Sequence, residues 1–143
     1  MDIRIQKKFQ QYQLAVVFSV LFALAGFSYN VWRMEVSEKN SNIRTACFEM
    51  LLELSSLEQL VYTAHYDKDL KEGSPRKGWV KVGLINDLSA LTKPSVQAKA
   101  NGLQQVWEAH WSTMVDDPSS VNQIVSEVDS VRSEIKQVLS SLE

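Results

Sequence analysis

"IRTACFEMLLELSSLEQLVYTA", residues 43 to 64, sets Ile43, Cys47, Met50, Leu54, Leu57, Val61 and Ala64 at alternating spacings of 4 and 3. An average of 3.5 residues keeps one stripe of an α-helix along a seam against other helices. The stripe predicts a helix from Ile43 to about Leu70, about 42 Å long at 1.5 Å per residue. No strand pattern competes with it.

The same rhythm returns twice. Val96, Ala100, Leu103, Trp107, His110 and Met114 form one further stripe, and Val121, Ile124, Val128, Val131, Ile135, Val138 and Leu142 form another. Each predicts a helix of about 35 Å. Between the first and second stripes, Pro75 to about Thr92 is read as a helix that buries Trp79, Val82, Leu84, Ile85, Leu88 and Leu91. Punctuation supports these boundaries. Gly73 stops one helix, while Ser74 and Pro75 have the form of the next N-cap and first turn. Pro94 closes the second helix and opens the third, and Asp117 and Pro118 start the fourth.

Connections of a few residues make consecutive helices antiparallel neighbours. The expected fold is therefore all-α, an antiparallel up-down four-helix bundle over residues 43 to 143. The β-branched residues of the last helix have mediocre helix propensity, so packing must hold it helical.

Upstream, Leu14 to Trp32 holds nineteen residues without a charge, close to the roughly 20 needed to cross a bilayer as a helix. "ALAGF", residues 23 to 27, has the small-x-small form of a signal-peptidase site. Yet Phe27, Tyr29, Val31 and Trp32 prolong the apolar run beyond Ala25, which suits an uncleaved signal anchor. Tyr12, Tyr29 and Trp32 sit where aromatic residues line a membrane interface. The chain thus divides into a short cytoplasmic tail (1–13), a transmembrane helix (14–32), a juxtamembrane stalk (33–42) and an extracytoplasmic bundle (43–143). Arg4, Lys7 and Lys8 before the span balance Arg33, Lys39 and Arg44 after it. The short tail with its α-amino group is read as cytoplasmic, which places the bundle outside. The expected location is a bacterial inner membrane, crossed once, with the bundle in the periplasm.

Net charge over the 143 residues is −2, but residues 45 to 143 carry 14 acidic against 9 basic side chains. So acidic a domain does not suit nucleic acid as a main partner. Cys47 is the only cysteine, so no intramolecular disulfide or haem-attachment motif is expected. Neither His65 nor His110 follows a Glu at the three-residue spacing of a di-iron bundle. No cofactor, metal or catalytic residue is expected, and the chain is read as a non-enzyme.

Three groups remain as candidate sites. Tyr62, His65 and Tyr66 with Trp107, His110 and Trp111 form a set able to line an aromatic pocket for a small ligand. Their bland reading is a hydrogen-bonded core histidine among packing aromatics. Arg76, Lys77 and Lys81 gather at a helix start, which is either an anion or partner patch or a solvated surface. Ala15, Ser19, Ala23, Gly26 and Asn30 lie near one face of the span, a ridge of small residues on which another membrane helix packs.

The layout of residues 14 to 142 resembles the ligand-sensing four-helix bundles of bacterial chemoreceptors and sensor kinases. Those receptors return through the membrane to a cytoplasmic output module, whereas a single span is expected here. The expected role is therefore an accessory, assembly or regulatory module docking a membrane partner or a second copy. The alternative is a small-ligand-sensing bundle.

Overall fold

Residues 3–142 are described by a computed structural model. Asp2 and Glu143, which the tail and bundle segments include, and the side chains of Arg4 and Lys7 lie outside the described residues. Four helices follow one another: α1 (Ile3–His65), α2 (Pro75–Ser89), α3 (Pro94–His110) and α4 (Pro118–Ser140). The described residues include no strand. The chain separates into two compact units, Met1–Lys39 and Asn40–Glu143.

In the first unit every described side chain is exposed, including Phe18, Phe22, Leu24, Phe27 and Trp32. Helix α1 is long and apolar enough here to cross a membrane, and none of its apolar window is buried in the protein. From Ile3 onward the predicted tail is helical, as is the stalk, because α1 runs through both.

The second unit has a single hydrophobic core to which all four helices contribute. From α1 come the seven residues of the opening stripe, joined by Leu60. From α4 come Val121, Ile124, Val128, Val131, Ile135 and Val138, with Leu142 just beyond its end. Helix α3 packs against both α2 and α4. Polar links tie α1 to its neighbours: Glu53 to Lys81 at 3.2 Å, Glu58 to Arg132 at 2.7 Å, and Arg44 Nη2 to the Leu142 carbonyl at 2.8 Å. Both ion pairs are largely shielded from solvent, so they resist screening better than pairs on the open surface.

Several boundaries and contacts differ from the sequence reading. Helix α1 ends at His65 rather than Leu70, since Lys68 takes a left-handed backbone (φ 55°) and the Asp69 N–H turns back to Thr63 O. Helix α2 ends at Ser89, three residues before Thr92. Its buried stripe is narrow, made of Gly78, Val82, Ile85 and Ser89. Leu84 and Leu91 are exposed, Trp79 sits at the surface, and Leu88 is only partly buried. Ser74 occupies the N-cap position of α2, but its side chain makes no capping bond.

Gly73 and Gly78 are required for close approach. A Cβ on Gly73 would lie 2.5 Å from the Ala64 backbone nitrogen, and one on Gly78 would enter the Trp107 ring. Gly73 is therefore a contact point against α1 rather than a helix stop. At Gly83, also in α2, a Cβ would meet nothing within 4 Å.

Two expectations follow for thermal unfolding of the second unit. Gly78→Ala destabilises by about 1–3 kcal/mol through overpacking, whereas Gly83→Ala stabilises by roughly 0.5–1 kcal/mol through helix propensity. Val128→Asp places an unpaired charge in the core and abolishes the cooperative transition. Circular dichroism and melting that match wild type for Val128→Asp contradict this core.

Candidate functional site

Tyr62 and His65 lie on the last turn of α1, and Tyr66 follows at once with its N–H bonded to the Tyr62 carbonyl, so this turn itself stacks them. Tyr62 and Tyr66 have ring centroids 5.8 Å apart, and His65 meets Tyr66 edge-on at 4.7 Å. His65 Nδ1 donates to the Met114 carbonyl at 2.8 Å, which anchors the end of α1 to the turn after α3. Lys68 reaches the same turn through the Val115 carbonyl. The Tyr62 hydroxyl donates to Glu58 at 3.2 Å, and burial, then that carboxylate, pushes its pKa above the usual phenol range.

Trp107 and Trp111 belong to a different cluster, whose centre is Trp79, absent from the sequence-derived set. Trp79 meets Trp107 edge-on at 6.4 Å and Trp111 at 6.5 Å. Trp107 is fully buried, and its Nε1–H has no hydrogen-bond partner. Such an orphan costs about 1–3 kcal/mol of desolvation. Among the described residues no aromatic contact joins this cluster to Tyr62, His65 and Tyr66.

His110 enters a third group. Its Nδ1 lies 3.1 Å from Ser120 Oγ, which donates to Asp117 Oδ2 at 2.8 Å and sits 2.8 Å from Thr113 Oγ1. Asp117 also accepts from the Ser119 and Ser120 backbone N–H groups, so it caps α4 as its sequence position suggests. Ser120, 1 % exposed, directs its proton to the carboxylate rather than the imidazole. That polarity is the reverse of a nucleophilic triad, in which the histidine takes the serine proton. The group is a lock on the α3–α4 connection. Sequence reasoning missed Thr113 and Ser120, whose role depends on a turn that no periodicity marks.

In the basic patch, Lys77 pairs with Glu72 at 2.9 Å and Lys81 with Glu53 at 3.2 Å, while Arg76 is exposed. In the first unit, Ala15, Ser19, Ala23, Gly26 and Asn30 are all exposed, and Ser19 Oγ satisfies itself on Ala15 O at 2.8 Å. Cys47 is buried, and that burial raises its thiol pKa, which disfavours the thiolate.

Scans against protein-family models, curated proteins and solved structures return no match for this chain.

Asp117 makes the stability of the second unit sensitive to acid. The Ser120 hydroxyl, then the Ser119 N–H, hold its carboxyl below the ordinary range. A depressed folded-state pKa means the contribution is present above the unfolded value, about 4, and is lost as pH falls through the lower folded value. At neutral pH Asp117→Ala lowers the melting temperature, and Asp117→Asn, which keeps an acceptor, lowers it less. The gap between wild type and Asp117→Ala closes on acidification below about pH 4. A gap independent of pH refutes the role assigned to the carboxylate.

Proposed function

We propose that the protein is a non-enzymatic, single-pass membrane protein whose second unit is an extracytoplasmic helical interaction module. In this reading residues 14–32 cross the inner membrane of a bacterium with the N-terminus in the cytoplasm. The bundle docks a membrane partner complex as an accessory, assembly or regulatory subunit. The observation that carries it is the contrast between units: a nineteen-residue uncharged stretch of helix whose side chains are all exposed, and a second unit whose apolar residues are largely gathered in one core. In water such a helix would expose a large apolar surface, and a bilayer removes that cost.

An antiparallel up-down bundle for residues 43–142 is supported by which residues meet. Arg44 reaches Leu142 and Glu58 reaches Arg132, an order that reverses along α1 and α4. Gly73 meets Ala64 while Lys81 meets Glu53, and Gly78 meets Trp107 while Asn86 meets Gln104, so α1–α2 and α2–α3 reverse likewise. The non-enzymatic reading draws on the engagement of both histidines and of Ser120 in structural hydrogen bonds.

A small-ligand-sensing bundle is the second reading, favoured by the unpartnered Nε1–H of buried Trp107. A thermal shift produced by one class of small molecule and lost in Trp107→Phe would select it.

The anchor is tested by alkaline carbonate extraction of membranes and by thiol labelling of single-cysteine variants with a reagent that does not cross bilayers. The chain stays in the pellet, Ser126→Cys is labelled from outside intact cells, and Gln11→Cys is labelled only after permeabilisation. Release by carbonate, or the opposite labelling pattern, contradicts the reading.

A further inference from the structure

Helix α1 carries a second heptad stripe, on the side turned away from the core. Thr45, Phe48, Leu52, Ser55, Gln59 and Tyr62, continuing to Tyr66, follow one another at spacings of 3 and 4, and all are exposed. Phe48 is 58 % exposed, Leu52 67 % and Tyr66 69 %. Helices α3 and α4 expose no large apolar side chain among the described residues. None of the seven positions is charged, whereas a water-facing helix stripe ordinarily is.

Resting on the interaction-module reading above, we propose that this stripe is the seam of a homodimer. The partner is a second copy of the chain, packed with its α1 parallel to the first. Two helices wind along each other on a seam that repeats every 3.5 residues, and here Phe48, Leu52, Tyr62 and Tyr66 are its apolar and aromatic members. With Thr45, Leu52, Gln59 and Tyr66 at a positions and Phe48, Ser55 and Tyr62 at d, Arg44 falls at g and Glu49 at the following e. In a parallel pair, g of one helix faces that e of the other, so Arg44 meets the second copy's glutamate, and symmetry gives the contact twice. Glu49 has no ion pair within its own chain among the described residues, and Arg44 uses one edge of its fork on Leu142 O. Copies anchored through the same N-terminal segment also meet this stripe from the same end.

The polar members of the stripe suit burial. Thr45 Oγ1 donates to Ser41 O at 3.1 Å and Ser55 Oγ to Leu51 O at 3.0 Å, so covering them orphans no donor. Gln59 makes no side-chain hydrogen bond within its chain among the described residues, and its amide is self-complementary. A polar amide at an a position favours one register, in which it pairs with its counterpart. Beside it lies a shallow groove of 540 Å³ lined by Ser55, Gln59, Tyr62 and Tyr66 among others, which receives side chains of the second copy.

The test is oxidative cross-linking of the full chain in its own membranes. Leu52→Cys and Gln59→Cys report the seam, and Ser126→Cys, exposed on α4, reports random collision. Buried Cys47 is common to all three. On a non-reducing gel the two seam variants shift to twice the monomer mass, and Ser126→Cys does not. Adding Arg44→Glu to Leu52→Cys removes the shift, and further adding Glu49→Arg restores it. Equal cross-linking of all three overturns the proposal, as does a seam that fails to cross-link while the chain remains in the carbonate-resistant pellet. That second result removes the homodimer and leaves the anchored module intact. Seam cross-linking of a chain that carbonate releases has the opposite meaning: the dimer stands and the anchor falls.

Discussion

Burial of one stripe of α1, from Ile43 to Ala64, is the constraint on which the second unit depends. Without it α2, α3 and α4 have no common surface on which to pack, because Leu54, Leu57 and Val61 are fully buried members of the core those helices share. The stripe is supplied by a helix whose apolar window nearer the N-terminus has no buried residue. Sequence chemistry within α1 therefore changes along its length. An all-round apolar surface up to Trp32 gives way to a charged stretch and then to a seam with polar flanks. A uniform amphipathic helix could not meet both demands.

The polar groups of the second unit mainly hold chain ends and turns. His65 and Lys68 fasten the end of α1 to the carbonyls of Met114 and Val115, and Asp117 with Ser120 fixes the start of α4. These bonds satisfy backbone groups that helix termini leave open. Arg132 is held by Glu58 and by Asp129, and the hydrogen bond to Glu58 foremost keeps its guanidinium charged. Trp107 is the exception, a large buried donor without an acceptor, packed so tightly that Gly78 must lack a side chain.

Helix α4 and the stripe of α1 were legible because each repeats at 4 and 3 with little interruption; α3 was legible too, but it ends at His110 while its stripe runs on to Met114 in the turn beyond. Helix α2 was less so, since its buried positions include Gly78 and Ser89, small residues that no search for apolar side chains selects. The stop of α1 was obscured because residues 66 to 70 contain no glycine or proline, and the break comes at the left-handed Lys68. The aromatic set divides between ring clusters for a related reason. Sequence spacing identifies neighbours within a helix, as with Tyr62 and Tyr66, but not that Trp79 of α2 stands beside Trp107 and Trp111. The outward stripe of α1 was hidden by its neighbours, because Phe48 and Leu52 adjoin buried Cys47 and half-buried Leu51 in the chain and differ from them only in direction.

Whether the apolar segment stays with the chain is decided most directly by the intact mass of protein recovered from membranes. A mass that includes residues 1 to 25 is the expected result, and it makes the first unit a retained anchor. A mass that begins at Gly26 contradicts the proposed anchor and makes the second unit a released domain.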